Sequence, residues 1–276
     1  MTAVPVLLYH AVQDDPPDWI APLTVTPRAF AEQLARLGDS GRTVVPLRRL
    51  VAAQRGGHPL PERAAVLTFD EGFADFYWTV SPALAERDLP ATLFVTTGAV
   101  HVPGEPPGGS LLPPAEMLTW RQLTTLDALG VEIGGHSQTH PQLDVLPGRR
   151  VSAELIRCKA ELEEALGHQV SAFAYPHGYS SLAVRRRVQD AGWTCACAAT
   201  GAFSSAADDP LRIARLVVRA DTAPEHFQRW LDGYGAPVGT EPDRLRTRGW
   251  RLYRRLRGVG RGSAGRAGAG PADRGW

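Results

Sequence analysis

Leu67-Thr68-Phe69-Asp70-Glu71-Gly72-Phe73 is the stretch from which the rest of the chain is read. The apolar run from Ala64 to Phe69 predicts a strand buried on both faces. It stops at two adjacent carboxylates and a glycine. Two acids at the tip of a buried strand repel each other and lose hydration, a cost that a bound cation offsets. In α/β folds the carboxyl ends of parallel strands carry the active sites. A plainer reading stands beside this one: Asp70 caps a helix starting near Ala74, and Glu71 is solvated.

A second stretch repeats the pattern. Val131-Glu132-Ile133-Gly134-Gly135 predicts another strand ending in glycines, and His136-Ser137-Gln138-Thr139-His140 follows it. Two histidines four apart meet on one face of a helical turn, and two imidazoles with one carboxylate make an open zinc site. A lone pair of this spacing carries little. An acid pair and a histidine pair, each just after a predicted strand, point to a metal centre.

TFDEG, HSQTH and the later FAYPHG resemble the polysaccharide deacetylases, carbohydrate esterase family 4, whose pattern is TFDDG, H-S/T-x-x-H and a Pro-aromatic-Gly loop. The opening VPVLLYHAV and the segment from Val25 to Leu50 resemble that family too. The likeness runs over residues 4–235 with the motifs in order. It implies an α/β fold, a distorted (β/α)7-8 barrel, and metal-dependent removal of N-acetyl groups from an amino sugar. The bond cut is a carbon–nitrogen bond outside peptides. The resemblance assigns Glu71, His136 and His140 to a divalent metal, zinc first and cobalt or nickel next. It makes Asp70 the general base. Tyr175, Pro176 and His177 match the loop whose backbone N–H binds the oxyanion, and His177 is a second candidate for proton transfer. The family has Asp where Glu71 stands, so the metal is expected to shift or the longer side chain to bend. The family arginine that orients the catalytic Asp is replaced by Ala174. The family histidine near the last strand is missing, and Arg215 is the nearest polar candidate there. Two alternatives remain: a related hydrolase of a cyclic amide or ureide, and a sugar-binding protein with weak or no catalysis.

The 276 residues are 43% hydrophobic and 21% charged, ordinary for a globular chain, and a single α/β barrel accommodates that length. A formal net charge of +1 gives no overall pull toward nucleic acid. Cys195 and Cys197 alternate on one predicted strand, which suggests packing rather than a disulfide framework. Val4 to Leu8 is too short and lacks the basic flank of a signal peptide, so a cytoplasmic location is expected.

In order, the pattern predicts a strand from Val4 to His10, with His10 more plausible as a structural histidine than as a site residue. A helix opens at Thr26-Pro27, with Phe30, Leu34 and Leu37 as its stripe. A helix is expected from Ala74 to Arg87, bent or interrupted at Pro82. The Pro- and Gly-rich loop from Gly98 to Pro114 reads either as a substrate-facing rim or as disorder. Helices are expected over Met117 to Leu129 and Glu154 to Leu166. Strands are expected over Val170 to Pro176, Trp193 to Thr200 and Leu211 to Val218, then a helix from Pro224 to Leu231. Residues 1–235 form the expected catalytic domain and 236–276 a basic tail. In that tail Arg246, Arg248, Arg251, Arg254, Arg255 and Arg257 interleave with Trp250, Leu252, Tyr253 and Leu256. A solvated, partly helical tail is the first reading. Weak contact with an anionic membrane surface, giving a membrane-peripheral protein, is the other.

Overall fold

The computed structural model describes residues 3–102 and 109–239. The strands in chain order are β1 (Val6–Tyr9), β2 (Ala11–Val12), β3 (Thr24–Val25), β4 (Thr43–Val44), β5 (Ala64–Phe69), β6 (Thr92–Val95), β7 (Glu132–Gly135), β8 (Ala172–Ala174), β9 (Cys195–Ala198), β10 (Ile213–Ala214) and β11 (Leu216–Val217). The helices are α1 (Pro27–Asp39), α2 (Leu47–Gln54), α3 (Ser81–Ala85), α4 (Trp120–Ala128), α5 (Gly148–Leu166), α6 (Leu182–Asp190) and α7 (Pro224–Asp232). The main sheet runs β10-β9-β8-β7-β6-β5-β1-β11, and every pairing in it is parallel. β4 adds to β5, and β2 pairs with β3 apart from the main sheet. This is the distorted (β/α) barrel expected from the sequence.

The barrel follows from period-two alternation along each strand. Val6, Val66, Phe94, Ala172, Ala174, Cys195, Cys197 and Ile213 form an inner cluster with Leu47, Leu50 and Val51 of α2. Leu7, Tyr9, Leu67, Phe69, Leu93, Val95, Phe173 and Tyr175 belong to the outer cluster, packed with helical residues such as Phe30, Leu34 and Leu155. Small residues keep the interior narrow. A Cβ on Gly134 would lie 2.6 Å from the Phe94 ring and 2.8 Å from the Ala172 carbonyl oxygen. All three cysteines are buried free thiols.

The two ends of the sheet meet at one residue. β10 pairs with β9 and β11 pairs with β1, and only Arg215 separates β10 from β11. The single strand expected over Leu211 to Val218 is therefore two short ones, with the chain crossing the barrel seam at Arg215.

Other boundaries differ for local reasons. The helix expected from Ala74 to Arg87 is a π-helical turn, Phe76–Val80, followed by α3, with Pro82 in its first turn. α4 starts at Trp120 because Thr119 and Gln122 form a capping box there. Met117 instead bridges to Phe73. α5 begins earlier than expected, at Gly148, and stops at Gly167 in a left-handed conformation. Of the Gly98 to Pro114 loop, the described ends rest on the histidine segment: the Gly98 N–H donates to the Gln138 carbonyl (2.8 Å) and the Leu111 N–H to that of Thr139 (2.8 Å). The domain reaches past the expected boundary at 235, because Phe203 pairs with Pro237 and Gly239. The arginine-rich segment lies outside the described residues. No helix among the described residues is long and apolar enough to cross a membrane.

Asp75 ties the turn after β5 to β2 by accepting the Val12 N–H. Burial pushes its carboxyl from 3.8 up to about 6. A carboxyl raised by folding contributes stability below its unfolded value and loses it as pH rises through the folded one. Asp75→Asn keeps an acceptor for Val12 and removes the buried charge. Its thermal midpoint is expected to exceed that of the native chain at pH 7–8, with the gain shrinking below pH 6. Equal differences at pH 5 and pH 8 would refute this.

Candidate active site

The inner column of β5 runs Val66, Thr68, Asp70, so alternation brings Asp70 into the barrel mouth. Its carboxylate accepts two parallel bonds from Arg215, Nη1 to Oδ1 and Nη2 to Oδ2, both 2.7 Å. Arg215 is fully buried, its Nη1 also reaches the Thr68 hydroxyl (3.3 Å), and its guanidinium carbon lies 5.5 Å from the Phe94 ring centre. Burial works against the guanidinium charge, but the adjacent Asp70 outweighs it, so Arg215 keeps its charge inside the barrel. Both terminal nitrogens of Arg215, the polar candidate near the last strand, are thereby engaged by Asp70. Arg215 supplies from the seam the carboxylate-orienting contact that Ala174 cannot make.

Glu71 leaves the strand at φ 70 and is followed by Gly72 at φ 90. This left-handed turn swings its carboxylate, 3% exposed, toward the histidines. Glu71 Oε1 lies 3.2 Å from His140 Nε2 and 3.5 Å from His136 Nε2, and Oε2 lies 3.9 Å from His10 Nε2. His136 follows β7 in the inward register. Its Nδ1–H donates to the Ala174 carbonyl (2.9 Å), which turns Nε2 to the site.

The HSQTH segment is not a helical turn. Ser137 and His140 adopt φ 64 and 62, and the His140 N–H donates to the Ser137 hydroxyl (3.0 Å). These left-handed residues fold the segment back on itself, and the two rings meet with centroids 4.9 Å apart. α5 anchors it: Glu154 accepts both the N–H (2.8 Å) and the hydroxyl (2.7 Å) of Thr139, and Glu161 accepts the Gln138 amide (2.7 Å).

Glu71, His136 and His140 offer ligand atoms that all lie within 4.8 Å of one another, and all three residues are buried. Atoms bound to one zinc at 2.0–2.2 Å in tetrahedral geometry sit about 3.4 Å apart. The two Glu71 to histidine distances bracket that value. Arg215 compensates Asp70, whereas Glu71 faces only imidazoles. Burial alone would raise the Glu71 carboxyl; the neighbouring His10 and the contacts from His136 and His140 overcome it and hold it well below its ordinary value. Burial lowers His140, leaving it neutral and able to donate a lone pair. Burial also opposes charge on His136, but Asp70 and Glu71 outweigh it and draw a proton there, into the space where a cation would satisfy the same carboxylates. The donor set fits a divalent metal.

The cleft above this set has a volume of 380 Å³, within the range of small-molecule sites (roughly 300–1,000 Å³). His10 and His177 line it with Asp70, Glu71 and His136. His10 is thus placed at the site, although the sequence favoured a structural role. β1 and β5 pair with Tyr9 opposite Phe69, so the residues that follow, His10 and Asp70, emerge together. His177 sits at φ 58 with its ring 4.7 Å from that of His140. Pro176 is buried in the same turn. Tyr175 is different: its side chain belongs to the outer layer, 0% exposed, and its hydroxyl donates to the Leu211 carbonyl (2.8 Å). Its phenol is unavailable to substrate.

The sequence profile described as "Polysaccharide deacetylase" matches residues 57–196. That is half of the chain, and it contains β5, the HSQTH segment and the Tyr175–Gly178 turn. The chain belongs to the polysaccharide deacetylase family. It is 35% identical over 118 residues to the poly-beta-1,6-N-acetyl-D-glucosamine N-deacetylase of Escherichia coli K12, an alignment covering 42% of this chain and 17% of that protein. Among solved structures, the deacetylase PplD of Streptococcus pyogenes superposes with a TM-score of 0.72 at 24% identity, covering 82% of this chain and 97% of that one. IcaB from Ammonifex degensii gives 0.71 at 23%, covering 84% and 97%. At these identities the structural likeness is one of fold. Within this family the chain departs from the usual motif at Glu71 and in the arginine that holds its Asp.

Proposed function

We propose that the chain is a divalent-metal-dependent N-deacetylase acting on an N-acetylated amino-sugar chain. The observation that carries the reading is the buried Glu71, His136, His140 triangle beside a carboxylate fixed by Arg215. When bound, the ion would polarise the acetyl carbonyl and acidify a water. Asp70 takes the proton from the attacking water. Its two bonds to Arg215 hold it fixed in direction, with lone pairs left toward the cleft. The Tyr175–Gly178 turn borders the space for the carbonyl oxygen, where backbone donors act best when already in place. His10 and His177 are the imidazoles left over once the ligands are assigned. His10, buried and level with Asp70, is our choice for passing a proton to the departing amine. The E. coli relative's name suggests β-1,6-linked N-acetylglucosamine as the first substrate to try.

Acetate release from such oligomers is expected to disappear on chelation and return with zinc, cobalt or nickel. Glu71→Ala is expected to lose the metal as well as turnover. Glu71→Asp is expected to keep metal affinity within about tenfold, because aspartate tolerates positive φ better than glutamate. Calorimetry with each ion decides. If Glu71→Ala binds metal as tightly as the native chain, residue 71 is not a ligand.

A further inference from the structure

We propose that the surface around Trp78 is a second carbohydrate-binding site, at which the indole carries one pyranose ring of an amino-sugar chain extending beyond the catalytic cleft. The identity of the polymer rests on the deacetylase reading.

The π-helical turn Phe76–Val80 creates the surface. Such turns are rare and cluster at functional sites, because the extra residue changes which side chains share a face. Phe76 and Val80 enter the core at 2% and 0% exposure, while Trp78 is left 69% exposed. The Tyr77 ring meets the indole edge-on, with centroids 4.7 Å apart and planes at 85°, which fixes its orientation.

Beside the indole lies a groove of 410 Å³ lined by Tyr77, Trp78, Thr119, Arg121, Gln122 and Thr125. This lining suits neither an apolar helix nor a metal ion, since it holds hydroxyls, an amide and a guanidinium but no acid. The Gln122 carbonyl oxygen accepts from the Thr119 N–H and hydroxyl, both at 2.9 Å, which aims its NH2 away from the cap. Arg121 has no ion pair among the described residues. An aromatic plate beside fixed polar donors matches a pyranose, which pairs one C–H face with a rim of hydroxyl and acetamido acceptors.

The site is also on the right end of the barrel. Trp78 lies on the segment leaving the C-terminal end of β5. α4 leads back to the start of β7, so its first turn, with Arg121 and Gln122, lies near the C-terminal ends of the strands. The groove shares no lining residue with the catalytic cleft, so its role is to hold the chain.

The test uses the metal-loaded full chain with linear N-acetylglucosamine dimers and hexamers. For Trp78→Ala we expect KM on the hexamer to rise about 3- to 10-fold, the size of one aromatic contact. kcat, and all constants on the dimer, should stay unchanged, and Trp78→Phe should recover most of the loss. A His136→Ala/His140→Ala chain, without turnover, should still be retarded in gels containing the polymer, and adding Trp78→Ala should remove the retardation. Unchanged hexamer KM in Trp78→Ala, equal losses on dimer and hexamer, or retardation indifferent to Trp78 would each overturn the site. Acetate release persisting alongside any of these leaves the deacetylase reading intact. Trp78-dependent retardation without acetate release from any oligomer sinks that reading and supports the site.

Discussion

Arg215→Met is expected to destabilise the fold by about 3–5 kcal/mol, the usual result of removing one partner from a buried ion pair. The guanidinium is fully buried and bonded to both oxygens of Asp70. Without it, Asp70 would be a buried charge beside a second carboxylate, Glu71. Arg215→Lys restores a charge but only a single point of contact, so it should recover part of the loss. The double variant Arg215→Met/Asp70→Asn removes both charges and should be more stable than Arg215→Met alone. Urea midpoints for the native chain, Arg215→Met, Asp70→Asn and the double variant close the cycle. A coupling near zero would mean that the pair does not hold the barrel mouth together. Turnover offers a second readout: Arg215→Lys should lose activity even where it folds, because a swivelling carboxylate is a poorer base.

Asp70→Asn is expected to lower kcat by roughly 10²- to 10⁴-fold, the range for a positioned general base. The amide occupies the same space and can still offer one oxygen to Arg215, so the fold should survive with reduced stability. Metal content should change little, because Asp70 lies outside the ligand triangle; its nearer approach to His136 Nε2 is 3.9 Å. Measuring bound zinc on the same sample as acetate release separates the two effects. Near-native turnover removes Asp70 from the mechanism. Lost metal with lost turnover makes it a ligand instead.

These two residues also show what a sequence can and cannot reveal. β5 was legible because a parallel strand buried on both faces is a continuous apolar run ending in the chemistry it presents. The histidine pair was legible as chemistry but not as geometry. A helix and a doubly left-handed turn both bring residues four apart together, and nothing in Ser137 or His140 announces positive φ. The direction of the Tyr175 ring was readable as well: Ala172 and Ala174 face in, so the side chains of Phe173 and Tyr175 face out. His10 and Arg215 were hardest. Each reaches the site only because strands far apart in sequence pair in a particular register, and that register is a property of the closed barrel. A lone arginine inside Leu211-Arg212-Ile213-Ala214-Arg215-Leu216-Val217-Val218 was the available signal, since an apolar strand admits a guanidinium only where an acid awaits it. The segment after β5 reads as a helix bent or interrupted at Pro82, and nothing in Phe76-Tyr77-Trp78-Thr79-Val80 announces the π spacing that buries Phe76 and Val80 and leaves Trp78 exposed.

The seam at Arg215 sets an order of events during synthesis. All three candidate ligands have been made by residue 140, but the cation that balances Asp70 comes 145 positions after it. β11, which flanks the first strand, follows immediately. Until then a nascent chain carries an uncompensated acid in what will be its interior and an open edge along β1. Barrel closure and charge balance arrive together with one residue. A chain that ends before residue 215 would therefore lack both.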